Sequence, residues 1–308
     1  MSRRILTVLA VIAAILVLVL AAISALEVAT LDVSSLARRA PRRTALMRER
    51  EREASEAGRV LRLDQRWVSY DRVSPLLRRA VLVAEDDAFY SHDGLDWNEI
   101  RAAAQKNIEA GRVVRGGSTI TQQLARNLFL GDERSLTRKL KEMFLAVRIE
   151  HTLPKRRIFE LYLNEIEWGD AIFGIEAAAN RYFGVSAASL NPRQAVLLAA
   201  VIINPRRFSP LHPSKRIEWR AHMIADRLHR RGVLDDDQYR EAIGIAPHPF
   251  APFDWLRRLF GGPKPSNVVP PAEAPEDSGA MRDSARSRPI EPRPGAGGAS
   301  DSSGAPPP

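Results

Sequence analysis

Residues 5–26 are the feature that most restricts what this chain can fold into. They form an apolar run that contains no charged side chain. As an α-helix, this run has about the length needed to cross the roughly 30 Å hydrocarbon core of a bilayer. The sequence therefore predicts a transmembrane helix over residues 5–26, preceded by a short segment of residues 1–4.

A cleaved signal peptide is the alternative interpretation of this run, because Ala22 and Ser24 form a weak cleavage pattern. The apolar part of a signal peptide is about 7–15 residues long, and the run here is longer, which favours a retained anchor. The flanking charges leave the orientation open. Two arginines precede the run, and four follow it between positions 38 and 43.

The residues after the anchor divide into three parts. Residues 263–308 are rich in Pro, Gly and Ser and contain only four sizeable apolar side chains, and the predicted disordered tail covers residues 248–308. Residues 27–43 are predicted to be a linker. Residues 44–247 carry the apolar periodicity of a folded domain, which is predicted to be mainly α-helical.

Several patterns predict individual elements of this domain. Pro154 opens a predicted helix that Gly169 closes, and Asn191 caps another that begins at Pro192. Residues 65–70, QRWVSY, are the best candidate for a strand. One amphipathic helix is predicted from an apolar stripe formed by Leu136, Leu140, Met143, Phe144 and Val147.

The amino-acid composition excludes some kinds of catalytic and metal site and predicts the charge of a partner. The chain has no Cys, which excludes thiol catalysis, Cys-ligated zinc and iron–sulfur clusters. Its formal net charge of +9 predicts an anionic partner, such as nucleic acid, a lipid surface or a substrate that carries phosphate. Composition alone does not choose among these partners.

A first candidate site follows the apolar residues 76–84. Glu85, Asp86 and Asp87 end this stretch, and His92 comes shortly after. A carboxylate at the end of an apolar helix is partly desolvated, which raises its pKa and suits it to proton transfer near neutral pH. The alternative is a set of solvated surface charges, with His92 in a structural hydrogen bond rather than on a metal.

A second candidate site combines glycines, hydroxyls and amides in residues 116–127, which contain GGSTITQQLARN. Short polar donors beside glycines can approach a phosphate or a sugar closely, although a flexible turn followed by a helix cap explains the pattern equally well. Further along, Arg138 and Glu142 lie one helical turn apart, with Lys139 beside them. This strip could bind phosphate, or it could be an exposed ion pair.

Five segments, in this order and spacing, resemble the motifs of the family 51 glycosyltransferases, which polymerise peptidoglycan from lipid II. They are EDDAFYSHDGLDW, GRVVRGGSTITQQLARNLFL, RSLTRKLKE, IFELYLNEIEWG and LLAAVIINPRRFSP. The resemblance covers about residues 65–245 and is strongest to the monofunctional members. It implies a lysozyme-like, two-lobed helical domain. It also implies a single-pass anchor in the inner membrane, with residues 1–4 in the cytoplasm and the domain outside.

The resemblance also implies roles for individual residues. Glu85 takes the position of the base that deprotonates the acceptor 4-hydroxyl, and Glu142 that of a second essential carboxylate near the donor pyrophosphate. The positions around this pyrophosphate belong to Gln123, Arg126, Arg134 and Lys139. The polar wall of the cleft is formed by Ser118, Thr119 and Asn127. The positions that orient Glu85 and shape the site belong to Asp86, Phe89 and His92.

The expected chemistry agrees with these roles. A pyrophosphate leaves readily once cations neutralise it, so Arg126, Arg134, Lys139 and a divalent cation, Mg²⁺ or Mn²⁺ near Glu142, are expected at the donor. No organic cofactor is expected. Arg126 stands where the family usually has Lys, which keeps the charge and changes its geometry.

The expected partners are lipid II, the nascent glycan chain and the membrane, with no nucleic acid. Neither a Ser-x-x-Lys nor a Lys-Thr-Gly motif occurs, so a separate transpeptidase is expected to cross-link the product, together with division or elongation proteins. Two alternatives remain: a lysozyme-like lytic enzyme and an inactive membrane-anchored scaffold. The cationic motifs argue against the first, and the two intact carboxylates argue against the second.

Overall fold

The computed structural model describes residues 3–112, 116–132 and 135–245. Its first helix, α1 (Arg3–Ala29), contains the predicted apolar run. By length and composition, residues Thr7–Ala29 could cross a membrane, and only 6% of the most apolar window is buried against protein. The predicted tail, residues 248–308, lies outside the described residues.

The domain that follows is mainly α-helical, as predicted. Its helices are α2 (Ala45–Glu56), α3 (Pro75–Glu85), α4 (Trp97–Glu109), α5 (Ile120–Ala125), α6 (Leu136–Thr152), α7 (Lys155–Glu165), α8 (Ile175–Phe183), α9 (Pro192–Val201), α10 (Lys215–Arg230) and α11 (Asp236–Ala242). Short 3₁₀ turns occupy Ser34–Ala37, Tyr70–Arg72, Phe89–Ser91 and Ala187–Ser189. A π-helical turn, Arg126–Leu130, continues α5.

Three short strands form one small sheet in the described part of the chain. They are β1 (Asp64–Gln65), β2 (Glu167–Gly169) and β3 (Ile172–Phe173), in the order β1-β3-β2. β1 is parallel to β3 and places Asp64 opposite Ile172, whereas β2 is antiparallel to β3. The sheet therefore joins the start of the domain to the chain that follows α7.

The core is built around α9, in which every residue from Ala195 to Val201 is buried. α9 packs against α3, α10 and α11. Its start is the predicted one: the Asn191 side chain accepts a hydrogen bond from the Gln194 amide at 2.9 Å, and the Gln194 side chain accepts one from the Asn191 amide at 3.0 Å. This reciprocal capping fixes the first turn of the central helix.

Residues 27–43, predicted to be a linker, pack on the domain. Val28, Val33 and Leu36 are at most 4% exposed and belong to the main core. Lys141 of α6 forms an ion pair with Glu27, and the Arg148 guanidinium donates a hydrogen bond to the Val28 carbonyl oxygen. The end of the apolar helix α1 is therefore fixed directly to α6.

The predicted strand over residues 65–70 is wrong beyond Gln65. The backbone at Val68 pairs with a side chain rather than with a strand: its amide donates to Asn164 Oδ1 at 2.8 Å, and its carbonyl oxygen accepts from Asn164 Nδ2 at 2.9 Å. The Tyr70 amide likewise donates to Glu160 Oε1 at 3.1 Å. Side chains of α7 thus take the place of a partner strand.

Two helix predictions also need correction. α7 ends at Glu165, not near Gly169, because residues 167–169 pair with β3. The apolar stripe of α6 is not its buried face: Leu136 is 86% exposed and Phe144 is 37% exposed. The buried face carries Glu142, Leu145, Ala146 and Ile149. It lies toward the protein because α6 packs against α5.

Candidate active site

Glu85 is the last residue of α3, and its side chain is only 11% exposed. Two side chains donate hydrogen bonds to its carboxylate: Arg220 Nη2 to Oε1 at 2.6 Å and Gln123 Nε2 to Oε2 at 3.0 Å. Burial raises the pKa of the Glu85 carboxyl, and Arg220, Gln123 and Arg126 oppose this rise. A carboxylate whose pKa is raised by burial, and whose charged form is still bound by donors, is suited to accept a proton as a general base.

Gln123 is fixed in one orientation. While its amide nitrogen donates to Glu85, its Oε1 accepts a hydrogen bond from the Tyr162 hydroxyl at 3.0 Å. Tyr162, on α7, is fully buried, and burial raises the pKa of its hydroxyl well above the usual value. The phenol therefore keeps its proton and remains a donor to Gln123.

Asp86 and His92 connect α3 to α5. Asp86 Oδ2 accepts hydrogen bonds from the Ile120 amide at 2.9 Å and from His92 Nε2 at 3.1 Å. His92 Nδ1 accepts a hydrogen bond from the Gly94 amide at 3.2 Å, which places the imidazole proton on Nε2. Phe89 is fully buried, and its ring lies edge-on to His92 with the centroids 6.3 Å apart. These contacts fix α5 relative to Glu85.

Gly94 lies where only glycine fits. Its φ is +93°, and a Cβ atom there would lie 2.9 Å from the backbone carbonyl of Ala146 on α6. Thr119 Oγ1 donates to the Gly94 carbonyl oxygen at 2.7 Å. This glycine therefore allows the first motif to touch both the second motif and α6.

The second motif provides a helix cap as well as polar side chains. Thr119 caps α5 by accepting from the Gln122 amide at 3.2 Å, while Gln122 Oε1 accepts from the Thr119 amide. The neighbouring Ser118 hydroxyl accepts a hydrogen bond from Lys139 Nζ at 2.7 Å. Lys139 thus connects the second motif to the cationic strip on α6.

Glu142 is almost completely buried, at 2% exposed, within that strip. Lys139 Nζ lies 2.5 Å from Oε1, and Arg138 Nη1 lies 2.7 Å from Oε2. This carboxylate is therefore part of a compensated cluster, and it is not an exposed ion pair. Both of its oxygens contact cationic side chains, and the described residues contain no group of three His, Asp or Glu that could bind a metal ion.

Two cavities adjoin the hydrogen bond between Glu85 and Gln123. The first cavity, of about 730 Å³, is lined by Gln123 and by polar residues that include Arg50, Arg126, Asn127, Arg206 and Arg207. The second cavity, of about 590 Å³, is lined by Glu85 and by residues that include Asp86, Ser118, Thr119, Arg220 and Arg227. The predicted residues Phe89, His92, Arg138, Lys139 and Glu142 line neither cavity.

The structure therefore separates two groups of predicted cations. Arg126 lines the first cavity, where its Nε is buried without a hydrogen-bond partner in the described chain. Lys139 and Arg138 lie beside Glu142, and Lys139 also contacts Ser118, which lines the second cavity. Arg134 lies outside the described residues.

Sequence reasoning missed Arg220, which makes the 2.6 Å contact with Glu85. Arg220 lies on α10, next to the buried Ala221 and one turn from the buried Ile217 and Ile224. A charged residue at the border of an apolar helix face usually has a buried partner, and this was the available signal. Tyr162 lay inside a motif, but its role depends on a contact with α5 that no local pattern reveals.

Comparison with known proteins identifies the family. Residues 53–229, more than half of the chain, match the model of the transglycosylase family. The chain belongs to the transglycosylase family. All five motifs lie within the matched region, as do Glu85, Gln123, Glu142 and Arg220.

Individual transglycosylases are similar over most of their own length. A biosynthetic peptidoglycan transglycosylase of Laribacter hongkongensis is 45% identical over 192 residues, which is 60% of this chain and 84% of the relative. The relative of the same name from Nitrosomonas eutropha is 44% identical over 188 residues, covering 61% and 77%. That of Aromatoleum aromaticum is 50% identical over 168 residues, covering 54% and 73%.

Proposed function

We propose that this transglycosylase polymerises lipid II into glycan strands during cell wall biosynthesis. The observation that carries the proposal is the environment of Glu85, a nearly buried carboxylate that lines one cavity and is fixed by Arg220 and by Gln123, which lines the other. The relatives named as biosynthetic peptidoglycan transglycosylases support the same reaction.

In the proposed reaction, Glu85 accepts the proton of the acceptor 4-hydroxyl while the oxygen of that hydroxyl attacks the anomeric carbon of the donor. The bond between this carbon and the undecaprenyl pyrophosphate breaks on the face opposite to the attack, so the configuration at the anomeric carbon inverts. A positioned base of this kind contributes about 10²–10⁴ in rate. The cations neutralise the pyrophosphate as it leaves. Glu142 positions Arg138 and Lys139, and Ser118, Thr119 and Asn127 bind the sugars.

The decisive experiment uses the full-length protein in detergent with labelled lipid II and Mg²⁺ or Mn²⁺, beside Glu85→Gln. We expect long, lysozyme-sensitive strands from the wild type and a loss of at least about 100-fold in Glu85→Gln, which keeps the side-chain shape without the base. Glu56→Gln, at an exposed carboxylate, is the matched control. Unchanged lipid II with the wild type would leave only a scaffold role, and cleavage of preformed strands would indicate a lytic enzyme.

The divalent cation stays a prediction, and the same assay tests it. We expect a chelator to abolish polymerisation and added Mg²⁺ or Mn²⁺ to restore it. Full activity in the chelator would show that the arginines and Lys139 suffice to neutralise the pyrophosphate.

The location and partners belong to the same proposal. The anchor is proposed to lie in the inner membrane with residues 1–4 in the cytoplasm and the domain outside, where a separate transpeptidase and division or elongation proteins act. Since the chain has no Cys, Val60→Cys at a 94% exposed position gives a single label site. A membrane-impermeant maleimide should label it in intact cells. Labelling only after lysis would show that the domain lies on the cytoplasmic side, the reverse of the proposed orientation.

A further inference from the structure

The first cavity contains four arginines, and they differ in how their charge is used. Arg50 lies against Glu167, Glu53 and Asp132 at 2.9–3.3 Å, and Arg206 lies 3.0 Å from Glu53 and 3.4 Å from Asp170. Carboxylates of the protein therefore already compensate these two guanidiniums. They form the wall of the cavity and have little charge left for a ligand.

Arg126 and Arg207 have no such partner. Among the residues that the structure describes, no carboxylate forms an ion pair with either, and the Arg207 guanidinium lies 5.8 Å from the centroid of its neighbour Phe208. Two adjacent arginines, Arg206 and Arg207, thus line one cavity, one compensated and the other not. No carboxylate of the described residues lies within ion-pair distance of either Arg126 or Arg207, and the charge of Arg126 acts on Glu85 only from a longer distance.

The same cavity also has an apolar wall, which includes Leu46, Ile166, Ile202 and Ile203. A site that combines two guanidiniums without an ion-pair partner and apolar side chains is suited to an anion that carries hydrocarbon. Each guanidinium can bind one phosphate group through two parallel hydrogen bonds.

We propose that Arg207, together with Arg126, binds the two phosphate groups of a polyprenyl pyrophosphate in the first cavity. This inference rests on the proposed function and adds to it a residue for which the sequence motifs indicated no role. Arg207 supplies the second guanidinium, and the apolar wall receives the first units of the lipid. The neighbouring Arg206 takes no part in binding.

The first test compares Arg207→Ala, Arg207→Lys and the matched control Arg206→Ala in the full-length protein. With labelled lipid II, Arg207→Ala should raise KM by about 10- to 100-fold, the range for a lost hydrogen bond to a charged group. Arg207→Lys should recover part of this loss, and Arg206→Ala should change KM by less than about fivefold, as expected for a partly exposed pair. Equal KM effects of the two alanine variants would overturn the proposal.

A second test does not depend on turnover. The thermal unfolding of the same proteins is followed with inorganic pyrophosphate and with farnesyl pyrophosphate as a short polyprenyl probe. Stabilisation of the wild type and Arg206→Ala, but not of Arg207→Ala, supports the site. If both probes stabilise the protein through Arg207, the site recognises pyrophosphate in general. If only farnesyl pyrophosphate does so, the site requires a pyrophosphate that is linked to a lipid.

Equal stabilisation of all variants, or none of the wild type by either probe, would overturn the assignment. Because this measurement needs no polymerisation, it separates failure of the Arg207 site from failure of the proposed reaction. A wild type that binds farnesyl pyrophosphate through Arg207 and makes no glycan would retain the site and reject the polymerase.

Discussion

At the scale of single residues, Glu85 lies between two opposing influences. Burial at the end of α3 raises the pKa of its carboxyl, which favours the neutral acid. Arg220, 2.6 Å away, favours the carboxylate. A base has to be ionised before it accepts a proton, so the rate of the proposed reaction should rise with pH as Glu85 loses its proton.

Arg220→Met should therefore move the acidic limb of the pH profile of kcat/KM to higher pH. The limb moves to higher pH because loss of the Arg220 cation removes one of the groups that oppose the effect of burial, and the pKa of Glu85 then rises further. Arg220→Lys should give an intermediate shift, whereas Arg216→Met, at an exposed position on the same helix, should give none. If kcat falls while the limb stays in place, Arg220 does not act through the charge of Glu85.

Glu165, outside the site, is a second carboxyl group whose pKa is raised by burial. It is fully buried, its Oε2 accepts a hydrogen bond from Gln65 at 3.1 Å, and its Oε1 has no partner in the described chain. Burial raises the pKa of this carboxyl to about 8, against an ordinary value of 4.5. The folded protein therefore holds Glu165 as a neutral acid at neutral pH.

This predicts that the free energy of unfolding falls as pH rises from 4.5 to about 8, because only the unfolded state ionises Glu165 in that range. The loss approaches about 1.4 kcal/mol per pH unit at most, several kcal/mol in all. Urea unfolding of the full-length protein across this range should show a shallower decline in Glu165→Gln. Glu56→Gln, at a 71% exposed carboxylate, should keep the wild-type slope. Identical slopes in all three would show that Glu165 ionises inside the fold.

At the scale of elements, α2 supports the wall of the first cavity. It packs against the π-helical turn that carries Arg126 and Asn127, and this turn ends at Gly131 with φ +75°. Glu49 Oε2 accepts a hydrogen bond from the Asp132 amide at 2.6 Å. Most of α2 precedes the region that matches the family model, so the cavity includes a wall from outside that region.

Arg50→Met should destabilise the protein by about 3–5 kcal/mol, because it leaves Glu167, 4% exposed, buried without its cation. The double variant Arg50→Met/Glu167→Gln should recover part of this loss. The comparison is Arg52→Met, on the same helix at a 68% exposed position, which should cost less than about 1 kcal/mol. Urea unfolding measures all three. If the two single variants lower the free energy of unfolding equally, the ion-pair cluster does not contribute to stability.

The elements also show what the sequence could predict. Signals that act within a few residues were sufficient: the Asn191 cap, the proline at the start of α9 and the spacing that gave α6. Predictions failed where a distant partner decides the structure, as at Val68, whose backbone pairs with Asn164, and at the buried face of α6. Among the site residues, the motifs located Glu85 and Gln123, but the contact with Arg220 joins positions 135 residues apart.

At the scale of the whole molecule, the apolar helix α1 packs directly on the domain. The last turn of α1 and the segment after it contribute Val28, Val33 and Leu36 to the main core. The Leu36 carbonyl oxygen accepts a hydrogen bond from Arg157 Nε at 2.9 Å. Because α1 contacts α6, the anchor is fixed to the helix that carries Glu142. In the proposed orientation, with α1 crossing the inner membrane, such a connection would set the height of the site above the membrane, whereas a free tether would leave this height variable.

Two shortened proteins separate these possibilities. A chain that starts at Glu27 keeps the three core side chains, so its free energy of unfolding should match that of the full-length protein within about 1 kcal/mol. A chain that starts at Thr44 loses them and should be less stable by roughly 5 kcal/mol or more, at about 1.5–3 kcal/mol for each buried apolar side chain. Urea unfolding of all three proteins in one detergent gives the comparison. Equal stability of the two shortened chains would show that residues 27–43 only tether the domain.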